Sequence, residues 1–433
     1  MNKKHLNFVG ILLILLSVTS VAKAEVSAET AYIFNTFSFL IHGILVMLMA
    51  AGFAMLESGM VRTKNTAAIC LKNIALYSIG GLMFYLIGYA LMYPGEFNGI
   101  LGIGDIFYDP LESEIAGEPN VEDGYSKPSD WFFQMVFAAT AISIVSGAVA
   151  ERVKVIPFLL FAAFMTAIIY PIYGSWTWGG GFLAEFGFSD FAGSTIVHSV
   201  GGWAALVGCL VIGARKGKYN QDGSVNALPG ANLPLSTLGT FLLWFGWFGF
   251  NGGSQLALGS AADAAQMSIV YVNTNLAAAA GVMAAIILAQ IIYKKIDLTL
   301  ALNGALAGLV AITAGPDVGS HFVAIVVGAI GGILSTFAIP LMDRFKIDDV
   351  VGAIPVHLVG GIWGTLAVAI FGGGSFIAQL YGILMAGVLT VPLAFLAFYL
   401  LKYTVGLRVS EETEDSGVDM PELGLQAYPE FKH

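Results

Sequence analysis

Apolar stretches of membrane-crossing length follow one another along almost the whole chain, and nothing else constrains its fold so strongly. They lie near 32–55, 67–93, 131–150, 156–176, 193–213, 233–253, 268–293, 298–314, 321–341, 351–371 and 378–402, eleven in all. About 20 apolar residues in a helix cross the hydrocarbon layer of a bilayer. Inside that layer only a helix or a closed barrel satisfies its own backbone. The pattern predicts an all-α polytopic membrane protein with eleven transmembrane helices. Composition agrees, with 57% of 433 residues apolar and 11% charged, against about 25% charged in a soluble domain. An ordinary soluble enzyme, a disordered chain and a nucleic-acid-binding surface are excluded by so few charges and the lack of a basic face.

The first residues read as processing signal. Lys3 and Lys4 precede an apolar run from Phe8 to Leu16, and Ala22-Lys23-Ala24 forms a small-x-small site. That order predicts a secretory signal peptide cleaved after Ala24, since the run is too short to span a bilayer. Beyond it stand sixteen Lys and Arg residues, fifteen of them counted with odd-numbered loops and the tail, and Lys127 alone on the other side. Basic residues are retained in the cytoplasm. The N-terminus is therefore expected outside and the C-terminus inside, in a bacterial inner (cytoplasmic) membrane. The chain divides into a signal peptide (1–24), a membrane domain (25–408) and a cytoplasmic tail (409–433).

The longest outer loop, from about Gly102 to Asp130, is acidic: Asp105, Asp109, Glu112, Glu114, Glu118, Glu122, Asp123 and Asp130. It reads as a solvated surface segment or as a device that concentrates cations at a pore mouth. The tail from Glu411 to His433 is acidic and polar and reads as solvated. Cys70 and Cys209 sit in or beside apolar segments and suggest neither a disulfide nor a metal site.

A short motif occurs twice. Val197-His198-Ser199-Val200-Gly201-Gly202 matches Val356-His357-Leu358-Val359-Gly360-Gly361 at five of six positions. The copies sit in the fifth and tenth spans, an odd number of crossings apart, so the halves (spans 1–5 and 6–10) form an inverted repeat, a design that places function at the repeat interface. His198 and His357 are ionisable groups inside the membrane, where such groups are costly and mark function. Two imidazoles sharing a site can hydrogen-bond and pass protons near neutral pH. No cysteine or carboxylate accompanies them, so a metal is not expected. His42 and His321 have no repeat partner and read as structural. Asp190, eight residues before His198, reads as a helix cap or as a carboxylate that stabilises an approaching cation.

The stretch from Asp190 to His198 resembles the signature of the ammonium transporter (Amt/Mep/Rh) superfamily. Ala150-Glu151-Arg152, Trp178-Gly179-Gly180-Gly181, Gly246 to Ser254 and Thr404 to Val409 agree with it. Arg62-x-Lys64-Asn65 and the Trp178 motif resemble the Amt branch. The resemblance runs from about residue 30 to the tail.

That resemblance implies roles for matching positions. Phe137, Trp178 and Ser254 would recruit ammonium or methylammonium at an outer vestibule with Asp190 beside them. Phe137 and Phe250 would stack as a gate, and His198 and His357 would line an apolar pore and relay a proton. It further implies a homotrimer without cofactor or catalytic residue and control by a PII-type protein at the cytoplasmic face, although Leu423-Gly424 departs from the expected His-Gly. An ammonium sensor acting through a partner and a passive Rh-like NH3/CO2 channel are the rival expectations.

Overall fold

The computed structural model describes residues 26–430; the expected signal peptide lies outside them. Eleven main helices build the bundle: α1 Ala28–Met60, α2 Thr63–Met92, α3 Lys127–Ala148, α4 Val155–Glu185 (interrupted after Thr177), α5 Ser194–Ile212, α6 Leu233–Gly253, α7 Ala261–Tyr293, α8 Leu298–Ile312, α9 His321–Arg344, α10 Ile354–Phe371 and α11 Phe376–Thr404. Ten are long and apolar enough to cross a membrane. The eighth predicted span, α8, has only 15 residues, about 22 Å at 1.5 Å per residue. It is buried from Leu300 to Ile312 between α7, α9 and α10. A helix wrapped in protein need not match the thickness of lipid.

Large apolar side chains such as Ile74, Leu82, Phe241, Phe322, Ile377 and Leu384 point outward from the bundle. A surface of this kind belongs in hydrocarbon. The chain is a multi-pass membrane protein. Inside, α3 and α5 are buried on nearly every face.

Corresponding helices of the two halves pack in opposite directions. Along α1 and α6, Gly249 meets His42 and Leu45, Gly239 meets Leu56, and Gly59 meets Ser236. One helix ascends in number as the other descends. In α5 and α10 the repeated glycines make the contact: Gly202 lies against Leu358, and Gly361 against Ser194 and Ser199. Each is four residues beyond its motif histidine. A Cβ at Gly202 would stand 2.7 Å from the Leu358 backbone nitrogen, so the repeated Gly-Gly is what lets the histidine-bearing helices cross closely.

One end of the bundle gathers the basic residues. Glu151 binds the Arg62 guanidinium and stands 3.3 Å from Arg215, whose guanidinium also bonds Asp348 at 2.8 and 2.9 Å. Burial alone would raise both carboxyls, but the guanidiniums outweigh it and hold Glu151 and Asp348 below their ordinary values.

The tail docks here and is not simply solvated as its composition suggested. Glu414 pairs with Arg408 at 2.7 Å, and Asp415 with Lys216 at 2.7 Å. Asp419 accepts the backbone N–H groups of Ala67 and Ala68 at 2.9 Å each, and Glu422 that of Val155 at 3.1 Å. Its acids answer cations and unsatisfied helix-start N–H groups that composition cannot reveal.

Lys72 also departs from expectation. It lies within α2, buried, with Nζ donating to the Ser146 carbonyl at 3.0 Å. It stands near Glu57, whose carboxylate accepts from Ser146 and Asn73 at 2.8 and 3.3 Å. Among the described residues, thirteen basic residues besides Lys72 and Lys127 belong to loops, helix ends and tail.

Candidate functional site

The two motif copies begin with the same local device. Asp190 accepts the backbone N–H groups of Gly193, Ser194, Thr195 and Ile196 at 2.8–3.0 Å. Asp349 accepts those of Gly352 and Ile354 at 3.1 and 2.7 Å. Both glycines have positive φ, 107° and 80°, a backbone geometry cheap only for glycine. A π-helical turn follows in each case, Ser194–Ser199 and Ile354–Val359, and carries the histidine. Such wide turns are uncommon and cluster at functional sites. Each histidine stands eight residues beyond its aspartate.

Asp349 was missed in the sequence. Its signal was present, since Asp349-x-x-Gly352 repeats Asp190-x-x-Gly193 at the same offset, but the neighbouring Asp348 makes the segment look like an ordinary polar loop. The copies also start at opposite ends of the bundle. The Asp190 carbonyl accepts the Trp178 indole N–H at 3.1 Å, whereas Asp348, beside Asp349, binds Arg215 at the basic end.

The histidines meet inside. His198 Nδ1 and His357 Nδ1 are 3.2 Å apart, and both side chains are buried. One ring must donate and the other accept, so they hold opposite tautomers. His198 Nε2 has no protein partner. The ring of Trp247 stacks on His198 at 5.0 Å, and its indole N–H is fixed by Thr313 at 2.7 Å.

Aromatic rings extend this pair into a row. Phe137 stacks on Phe250 at 3.9 Å with 19° between planes, both fully buried. Phe250 lies 5.3 Å from His198, the histidine rings lie 5.2 Å apart, and Phe53 lies 6.3 Å beyond His357. Outside the Phe137–Phe250 stack is a cavity of about 250 Å³. Phe137, Trp178 and Ser254 line it together. Trp178 meets Phe137 edge-on at 6.0 Å. Ser254 donates to the Phe250 carbonyl at 2.8 Å, which leaves its oxygen free to accept. Asp190 does not line this cavity; its carboxylate is committed to the start of α5.

Beyond His357 a cavity of about 10 Å³, bounded by Phe53, Glu57, Ser143, Asn303 and Val351, is large enough for a water molecule. A vestibule of about 160 Å³ at the basic end of the bundle follows, reached past Asn303 and Val351 and lined by Arg215 and Lys218 together with Asp343 and Asp349. A chamber lined by Phe137, Trp178 and Ser254, a stacked aromatic plug, a histidine pair and a vestibule of mixed charge are thus arranged in series.

Residues 37–428 match the model of the Ammonium Transporter Family. The chain belongs to that family. Among its relatives, the ammonium transporter Amt2 of Archaeoglobus fulgidus is 42% identical over 423 residues, covering 90% of this chain and 87% of its own length. An ammonium transporter of Bacillus subtilis is 34% identical, with 89% and 96% covered. The solved structure of a "Sensor Amt Protein" superposes with a TM-score of 0.85 at 40% identity over 92% of this chain and 100% of that one. Both of these sequence relatives carry the name ammonium transporter.

The remaining histidines of the described membrane region are satisfied structurally in this family member. His42 bonds Ser38 and the Tyr271 hydroxyl at 2.8–3.0 Å, and His321 bonds Asn273 at 2.7 Å. Cys70 and Cys209 are unpaired thiols.

Proposed function

We propose that this protein transports ammonium by recruiting NH4+ outside, removing its proton and conducting NH3 inward while the proton travels separately. The row of rings ending in the 3.2 Å histidine pair carries this reading. Aromatic faces attract a cation. In the outer chamber Phe137 and Trp178 supply them, and the Ser254 oxygen accepts an N–H bond. Asp190 fixes α5 and the Trp178 indole, and adds its charge from behind them.

Past the Phe137–Phe250 gate the lining is apolar, and an intact ion there loses its hydration without replacement. Neutral ammonia loses far less. The proton moves on the histidines: when one ring takes it at the outer side, the Nδ1–Nδ1 bond passes it to the other. The two tautomers exchange with each transfer. Net movement is electrogenic. K+ cannot lose a proton or donate hydrogen bonds, so it is refused.

In this reading α8 completes eleven spans, with the basic end in the cytoplasm and the N-terminus outside after removal of residues 1–24, the membrane domain running to 408 and the tail from 409. The chain would form a homotrimer in the inner membrane, one pore per subunit, without cofactor. The docked tail and its neighbouring inner loops offer a surface on which a PII-type protein could block the inner chamber.

The test is current recording from proteoliposomes after an ammonium pulse, with K+ for comparison. Current with ammonium alone supports the reading. Silence from correctly inserted protein would favour a sensor, and uncharged ammonia flux an Rh-like channel.

A further inference from the structure

Of the eight outer-loop acids, the structure sets one apart. Asp105, Asp109, Glu112, Glu118, Glu122 and Asp123 are exposed, and Glu114 is half-buried and bonded to Ser126 and the Lys127 backbone. Asp130 is 6% exposed and lines the outer chamber with Phe137, Trp178 and Ser254. It opens the face of α3 that continues, at helical spacing, through Phe133 and Gln134 to Phe137.

Its carboxylate is held in place by neutral donors. Tyr89 donates its hydroxyl to Oδ2 at 2.7 Å, and Gln134 its amide NH2 to Oδ1 at 3.5 Å. That second bond turns the Gln134 amide so that Oε1 is free, and this atom is buried in the chamber wall without a partner. A buried acceptor with no donor is costly; a ligand bearing N–H groups would satisfy it. The chamber also has a basic residue, Lys127, whose Nζ lies over the Tyr125 ring at 5.2 Å, a primary ammonium on an aromatic face of the same chamber.

We propose that Asp130, with the free Gln134 oxygen one turn further on, is the anionic arm of the outer chamber and sets its affinity for ammonium. The proposal rests on the transport reading. An aromatic cage alone attracts any small cation weakly, and a fixed carboxylate behind it deepens the well. The Gln134 oxygen then favours a cation with N–H donors over K+. Lys127 opposes Asp130 at the mouth, repels a second cation and limits the affinity.

Two measurements decide it: the apparent KM of the ammonium current in proteoliposomes, and the Kd from quenching of tryptophan fluorescence by ammonium in detergent. Asp130→Asn should raise both about tenfold, because the charge is lost from a partly desolvated site. Asp130→Glu should restore most of the affinity. Lys127→Gln should lower both several-fold, an opposite change that a merely structural role for this cluster would not produce. Unchanged KM and Kd in Asp130→Asn, beside a conducting wild type, would overturn the proposal. If that variant does not fold, Lys127→Gln decides alone, and an unchanged or raised Kd overturns it. A silent wild type whose Kd still follows this order would refute transport while sustaining the anionic arm.

Discussion

Gly202 of α5 meets Leu358 of α10, and the equivalent Gly361 of α10 meets Ser194 and Ser199 of α5. This reciprocal contact brings His198 and His357, each four residues earlier, to hydrogen-bond distance. The histidine pair is therefore a product of the glycines as much as of the histidines.

Substitution of either glycine should part the helices. A Cβ at Gly202 would press on the Leu358 backbone, which cannot yield as a flexible side chain would. Overpacking of this kind costs about 1–3 kcal/mol or more. Gly202→Val should lower the thermal unfolding temperature in detergent and reduce ammonium current. A substitution at exposed Gly217, where a Cβ meets nothing but φ is 75°, should cost about 1 kcal/mol from backbone strain alone and spare the current.

The Phe137–Phe250 stack should govern ion rejection. Phe250→Ala removes the inner ring of the plug and opens a space beside His198 that water can enter. Truncation of a buried Phe typically costs about 3–5 kcal/mol. In protein that still folds, the account expects K+ current absent from the wild type, measured as a shift in reversal potential. K+ exclusion equal to the wild type would assign the barrier elsewhere.

The basic end should lose stability in acid. Asp348 and Glu151 are held below their ordinary values by Arg215 and its neighbours despite burial. Their contribution is full above the unfolded carboxyl values of about 4 and is lost as pH falls through the depressed folded values. Asp348→Asn should destabilise the protein by about 3 kcal/mol at neutral pH, since it leaves Arg215 buried with one carboxylate fewer. The difference between variant and wild type in melting temperature should shrink toward zero as pH falls below about 3. A constant difference across that range would remove the ion pair as its cause.

The spans were legible because lipid demands about 20 apolar residues per crossing, and the histidines because a repeat singled them out. The aromatic chamber was legible only through family resemblance, since Phe137, Trp178 and Phe250 are three among 53 aromatics. Other features were hidden because charge in a sequence reads as surface. Lys72 and Asp130 are buried, yet each borders a stretch that looks solvated. Asp349 was masked by Asp348. The short helix α8 looked like any other span because apolar pattern does not tell lipid from a protein neighbour, and the docked tail was concealed because its partners, Arg408, Lys216 and the start of α2, are far from one another in sequence or become neighbours only on folding.

The central claim, that the proton crosses on the histidines while ammonia crosses as a neutral molecule, is tested most directly by recording ammonium-evoked current from proteoliposomes holding the wild type or the double variant His198→Leu, His357→Leu. The account predicts a selective current in the wild type and none in the variant, with the same amount of inserted protein. An undiminished, ammonium-selective current in the variant would contradict it.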